Sequence, residues 1–330
     1  MNLNTELLKK ICGVNSVSGH ENSVSDVILA EVKNYVDEHS EDALGNLITR
    51  KKGPGKKIML AGHMDQIGLM VTFISKEGFL YFSRIGGKSP AYCLGQRFVF
   101  PNGTIGVAAC ERLDDMKDLD FTKMYIDIGA KDEEDAKKHV KIGDVCVYCN
   151  EPAVSGNVII SPALDDRVGC FIMIEALKKI KNPAYDMYFV FTSQEEIGLR
   201  GAKTSAYTID PDYGLAFDVT FSYDTPKARK FPAKMFDGAA IKLKDSSLLC
   251  HPTIINQLEK CAKGAGIKYQ FEILEAGGTD SGAIHTSRGG VPSGVVSVAT
   301  RYIHSGNEMC ALSDVQDCID LTVKFLETEM

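Results

Sequence analysis

Glu195 and Glu196 stand side by side after a strand-like apolar run, 187–191, and before a glycine-punctuated turn that includes Gly198 and Gly201. Two carboxylates at a strand end are costly to bury without partners. Adjacent residues point in different directions in an extended or turning backbone. The two acids therefore suit different tasks: one binds a cation while the other faces what the cation holds. The plainer alternative is a pair of solvated acids in a loop. Four more places repeat the pattern of an apolar run ending in an acid or a histidine. His63-Met64-Asp65 follows 58–62, and Asp165-Asp166 follows 158–160. Asp218 ends 214–217, and His304 comes after 295–298 and Arg301-Tyr302-Ile303.

The chemistry these groups could share is metal binding. Imidazoles and carboxylates are borderline-to-hard ligands that suit zinc, cobalt or manganese. Several carboxylates converging in one cleft repel unless cations neutralise them. Two divalent ions roughly 3.5–4 Å apart, one carboxylate bridging them, would do so. His63 and Asp65 lie two apart and share a side of an extended strand. Asp65 could then accept the second ring N–H of a metal-bound His63. Taken singly, each histidine could equally be a hydrogen-bonded structural residue.

The elements that must position these groups fall into two textures. In 1–68 and 159–330, strands alternate with helices, as in a sheet covered on both faces. Expected strands are 58–62, 187–191, 213–218, 239–243, 269–274 and 291–298. Expected helices are 22–35, 166–179, 253–265 and 313–329, with a first helix capped by Asn4. Such sheets hold ligands at their strand ends. From 69 to 158 short β-rich segments separated by turns predominate, with one short charged helix at 132–140. This block reads as an all-β module inserted into the first domain. Its acidic run, 132–135, reads as a solvated helix face.

Composition limits the partners. The chain has 330 residues, 44% of them apolar, so it can bury a full core. Its formal charge is −7 with both signs mixed, which argues against nucleic acid or an anionic membrane. No basic-then-apolar leader and no membrane-length apolar run is expected. Ten cysteines without framework spacing read as reduced thiols in a cytoplasm. Cys146 and Cys149 form one C-x-x-C inside a strand-like alternation and read as structural.

The ordered set GHMDQIGLM, SPALDDRVG, TSQEEIGLRGA, AFDVT, GGTDSGAIH and TRYIHS closely resembles the M42 family of metallo-aminopeptidases, some of which carried an endoglucanase label. The resemblance spans essentially the whole chain. It implies a three-layer α/β/α zinc-peptidase-like catalytic domain carrying a PDZ-like, barrel-type assembly module. It further implies two divalent ions, zinc or cobalt with manganese as a third option. His63 and Asp218 would bind one, Glu196 and His304 the other, and Asp165 would bridge. Glu195 would be the general base that takes a proton from the activated water, and Asp65 would orient His63. A cis peptide between Asp165 and Asp166 is implied, with Asp166 left to a structural role. Gly278, Thr279 and Asp280 would line the substrate pocket. His20 and His285 read as structural. Gln66, Ala299 and Gly306 depart from the commoner family pattern without touching an implied ligand. The implied activity is removal of N-terminal residues from peptides by a homodimer that builds a homododecamer. Two rivals stay open at this point. One is a glycoside hydrolase using paired carboxylates without metal, and the other is an inert assembly scaffold.

Overall fold

The structure, a computed structural model, describes residues 3–330. Among these residues, eleven strands form one mixed sheet and six more close a barrel. At the sheet's centre four strands run parallel. Asp186–Thr192 pairs with Lys57–His63, which pairs with Tyr213–Phe221, which pairs with Ser293–Arg301. All four are almost wholly buried, as β-rich apolar runs inside a parallel sheet should be. Period-two alternation divides each strand between two cores. Ile58 and Leu60 pack with Phe171 and Phe189, while Met59 and Ala61 pack with Ala202 and Ala206. The helix Leu164–Lys179 lies on the first of these cores, next to Thr5–Cys12, Asn22–Val32 and Leu312–Leu326. The helix Arg200–Ile209 serves the second.

Register sets the functional geometry. Thr192 pairs with His63, and Ala216 pairs with Ala61. Two residues further along, Asp218 comes level with His63. Thus the ends of two adjacent parallel strands bring His63 and the 193–196 segment to one rim, level with Asp218. Asp218 itself lies inside the third strand rather than at its expected end, since pairing with Ser293–Arg301 carries that strand on to Phe221.

The barrel takes Gly68–Ile74, Leu80–Ile85, Met124–Asp127, Ile105–Cys110, Arg97–Val99 and Val145–Tyr148 in that spatial order. Its own core contains Leu69, Phe82, Phe98, Met124, Ile126 and Tyr148. Closure removes the open edges that short strands would otherwise expose. The strand Met124–Asp127 and the helix Arg200–Ile209 go beyond the elements expected from sequence. Helical backbone in the charged segment is confined to Glu133–Ala136, where Asp132 Oδ1 accepts the Asp135 N–H. All ten cysteines are free thiols. Among the described residues, no helix is long and apolar enough to cross a membrane.

Phe171 is fully buried in the larger core. Truncation to alanine should cost about 3–5 kcal/mol of unfolding free energy. A denaturant midpoint for Phe171→Ala indistinguishable from that of the parent would contradict this packing.

Candidate active site

Asp165 occupies the centre of the rim. Its Oδ1 lies 3.0 Å from His63 Nε2 and its Oδ2 lies 3.2 Å from His304 Nε2. His304 Nε2 is also 3.1 Å from Glu196 Oε1. Ligand atoms of His63, Asp165 and Glu196 fall within 4.8 Å of one another. Glu195 Oε2 is 3.9 Å from His63 Nε2. Asp218 lines the same cleft of about 480 Å³. The structure therefore brings together His63, Asp165, Glu195, Glu196, Asp218 and His304. The peptide between Asp165 and Asp166 is cis.

Behind these groups a second set of acids holds the backbone. Four successive N–H groups leading into and through the Glu-Glu pair each find a side-chain acceptor. Ser193 N donates to Asn46 Oδ1 at 2.9 Å and Gln194 N to Glu21 Oε1 at 3.0 Å. Glu195 N and Glu196 N donate to the two oxygens of Asp65, at 3.0 and 3.2 Å. Asp65 Oδ2 also accepts the Ser18 hydroxyl at 2.6 Å. His63 Nδ1 lies 3.1 Å from the main-chain oxygen of Asp65 and 3.4 Å from its carboxylate. Asp65 thus contacts His63 chiefly through its main chain, while its carboxylate serves the Glu195 and Glu196 backbone. Asp166 accepts the His63 N–H at 3.1 Å and the Gly169 N–H at 3.0 Å, tying strand to helix.

Glu308 was not singled out by its sequence context. It is buried, and its two oxygens accept the Asp165 N–H at 2.9 Å and the His304 N–H at 2.7 Å. A lone acid in Glu308–Ala311 carries no spacing signal, and its Asp165 partner is a backbone group 143 positions away. Of the motif at 277–280, Gly277 and Gly278 line the cleft. Thr279 instead donates to Asp245 at 3.1 Å, and Asp280 accepts the Thr192 hydroxyl at 2.5 Å. Both are buried away from the cleft wall. His285 Nδ1 meets the Ser281 carbonyl within its own helical turn.

The electrostatics call for cations. Burial alone would discharge every group here. Burial, followed by Asp165, carries Glu308 up to about 8. Burial and then Asp165 hold the Asp218 carboxyl well above its ordinary range. Burial also lifts Glu195 far above the usual value, with His63 opposing it. Burial works against charge on His304, but Glu196 and Asp165 outweigh it and carry its pKa up to about 11. Asp165 moves the other way: burial is overcome by His304 and His63, and the carboxyl stays well below its usual range. Glu196 Oε1 accepts no hydrogen bond from the described residues although His304 Nε2 is 3.1 Å away. A carboxylate oxygen and an imidazole nitrogen that converge in this way fit a metal ion as the common partner once the ring has given up its proton. The donor set of imidazoles and carboxylates suits a first-row divalent ion.

Histidines and carboxylates that converge at the rim of an α/β sheet form a site able to hold a metal ion. Residues 45–321 match the sequence profile of the family described as M42 glutamyl aminopeptidase. A putative aminopeptidase of Acetivibrio thermocellus is 50% identical, with 97% of each chain covered. The lysyl aminopeptidase of Pyrococcus furiosus is 33% identical over 98% of this chain and 96% of its own. Among solved structures, an aminopeptidase of the archaeon Desulfurococcus kamchatkensis superposes with a TM-score of 0.94 at 36% identity, covering 98% of this chain and 94% of that one. The TET1 peptidase of Pyrococcus horikoshii, described as assembling into a tetrahedron or a large octahedral shell, superposes at 0.87 with 30% identity and 99% coverage of both. The chain belongs to the M42 glutamyl aminopeptidase family and is a metal-dependent aminopeptidase.

Two tests follow from this geometry. In the metal-free cluster Glu196 and Asp165, against the opposing effect of burial, carry the pKa of the ligand His304 up to about 11, which favours its protonated form at neutral pH. Binding a divalent ion must displace protons, so affinity should rise as pH increases from about 6 to about 8. Calorimetry in buffers of different ionisation enthalpy would read the proton release; a pH-independent affinity with none released would refute it. Glu308→Ala removes the common acceptor of the Asp165 and His304 N–H groups. It should weaken metal affinity on the order of 10–100-fold, the range for groups that orient ligands, as measured by competition with a chromophoric chelator.

Proposed function

We propose that this chain removes N-terminal residues from peptides with a pair of divalent ions. His63 and Asp218 would hold one ion, Glu196 and His304 the other, and Asp165 would bridge them. The observation that carries this is the disposition of Asp165, whose two oxygens each face a different histidine. Zinc or cobalt fits the ligand set best, with manganese next. When bound, the ions supply positive charge that polarises the scissile carbonyl and acidifies water. Glu195 is the proposed general base: it takes the proton of the attacking water and passes it to the departing amine. Its carboxyl lies beside His63 rather than His304, off the metal-facing position of Glu196. Asp65 positions both glutamates through their N–H groups.

The same reading assigns 1–68 and 159–330 to a three-layer α/β/α catalytic domain and 69–158 to an inserted, PDZ-like assembly module. The second core inside the barrel supports the division. Phe73, Ile105 and Val107 expose apolar surface on that barrel, which supports use of the module in homo-oligomers. A homodimer that builds a dodecamer agrees with the shells described for the Pyrococcus horikoshii peptidase. Ten free thiols support a reducing cytoplasm. A metal-free glycosidase would leave His63 and His304 without a role between their carboxylates. An inert scaffold would not need all five proposed ligands at one rim.

Glu195→Gln should retain both ions by elemental analysis and lose turnover of peptide p-nitroanilides by about 10²–10⁴-fold. Wild-type turnover in that variant would remove Glu195 from the mechanism. Exhaustive treatment with phenanthroline should abolish hydrolysis, and added zinc or cobalt should restore it. Survival of activity without metal would defeat the proposal.

A further inference from the structure

The cleft has two unlike halves. One half is the cluster of His63, Asp165, Glu195, Glu196, Asp218 and His304. The other is walled by Leu199, Val219, Phe221, Leu274, Ala276 and Ile303, with the side-chain-free Gly277 and Gly278 between them. Val219, Leu274 and Ile303 are buried, Val219 and Ile303 as members of the larger core, while Phe221 is exposed to solvent. Among the described residues, every ionisable side chain that lines the cleft belongs to the first half. Thr220 adds a neutral hydroxyl, buried and without a hydrogen-bond partner.

Most charges close to the second half are already paired with one another. Arg301 is held by Asp224 through two bonds, at 2.9 and 2.7 Å. Glu275 points out of the wall and faces Arg229 at 3.8 Å, both exposed. Lys242 is bonded to Glu272, and both are fully buried. Lys88 is buried against the ring of Tyr148, its Nζ 3.8 Å from the centroid and without a hydrogen-bond partner among the described residues; it lines not the cleft but an adjoining cavity that shares Gly87, Phe221, Ile303 and His304 with it.

An exopeptidase must place the side chain of the first residue beside the bond it cuts. On the reading above, five of the acids and histidines would hold the metals and Glu195 would take the proton, which leaves the apolar half to meet that side chain. A glutamate would need a cation there and a lysine an anion; among the described residues, the apolar lining itself supplies neither. A charged side chain left unpaired in an apolar wall is strongly disfavoured. An aliphatic one gains by leaving water. Resting on the aminopeptidase reading above, we infer that this chain is selective for neutral, aliphatic N-terminal residues such as leucine and methionine. Its wall matches neither the glutamyl preference in the family description nor the lysyl preference in the name of its Pyrococcus furiosus relative.

The test uses the metal-loaded protein with p-nitroanilides of Leu, Met, Ala, Glu and Lys. The kcat/KM for Leu or Met should exceed that for Glu and for Lys by at least about tenfold. A Glu or Lys substrate that equals or beats Leu overturns the inference while leaving the aminopeptidase intact. Hydrolysis of none of the five would instead strike the aminopeptidase reading. A second readout does not depend on turnover. Free L-leucine should raise the melting temperature more than equal concentrations of L-glutamate or L-lysine, and the reverse order overturns the inference. Leu274→Lys should shift the Glu-to-Leu ratio of kcat/KM toward Glu by at least about tenfold, whereas Leu274→Met should keep the parent order. An unchanged ratio in Leu274→Lys would remove residue 274 from the specificity wall.

Discussion

Buried negative charge is the constraint that the rest of this structure answers. Asp65, Asp165, Asp166, Asp218 and Glu308 are all less than a tenth exposed, and Glu195 and Glu196 share their rim. A carboxylate taken out of water must recover its lost hydration from hydrogen bonds or from positive charge. The molecule uses both, in different places. The rear acids are compensated by backbone N–H groups: Asp65 by Glu195 and Glu196, Asp166 by His63 and Gly169, Glu308 by Asp165 and His304. The front acids point at imidazoles and at one another, and Glu196 Oε1 accepts no hydrogen bond from the described residues. That division separates groups that position from groups that bind.

The positioning set reaches the rim from distant parts of the chain. Arg167, fully buried, donates to the carbonyls of Ile11, Val14 and Ser16 and to Gln66 Oε1. This holds the 11–18 segment across the start of the helix Leu164–Lys179, and Ser18 then reaches Asp65. The barrel also contributes. A side chain at Gly87 would come within 3.0 Å of the His304 ring, and one at Gly86 within 3.1 Å of the Glu196 carboxylate. The loop after Leu80–Ile85 therefore lies close over the metal-facing side chains because two glycines leave room. The barrel is in this sense a wall of the cleft as well as a separate fold unit.

Much of this was legible in the sequence because the central strands announce themselves. Apolar runs of five or so residues, each leading to an acid or a histidine, mark the strands 57–63, 186–192 and 213–221, the last continuing three residues past its Asp218. What escaped is what has no local signal. The helix Arg200–Ile209 begins at Leu199, a non-glycine residue at φ +56° with no side-chain cap, so neither cap nor turn chemistry foretells it. The hairpin strand Glu38–Glu41 is polar and exposed throughout, and only its pairing with Leu47–Lys51 makes it a strand. Asn46, Glu21 and Glu308 act on backbone groups more than a hundred positions away. Such contacts exist only after the chain has folded. Thr279 and Asp280 illustrate the converse, since a motif can mark a place near the cleft while its side chains turn inward to Asp245 and Thr192.

The adjacent glutamates show how one carboxylate can set two roles. Asp65 grips both N–H groups with its two oxygens, so the backbone at 195–196 cannot rotate without breaking a bond. With the backbone fixed, consecutive side chains must diverge. Glu195 is carried toward His63, at 3.9 Å, and Glu196 toward His304, at 3.1 Å. Asp165 lies between those two histidines and touches each with a different oxygen. The two sides of the centre are thus defined by one buried acid behind the pair and another in front. A change at either would disturb both sides together, and for that reason the separation of base from ligand belongs to the framework rather than to the glutamates alone.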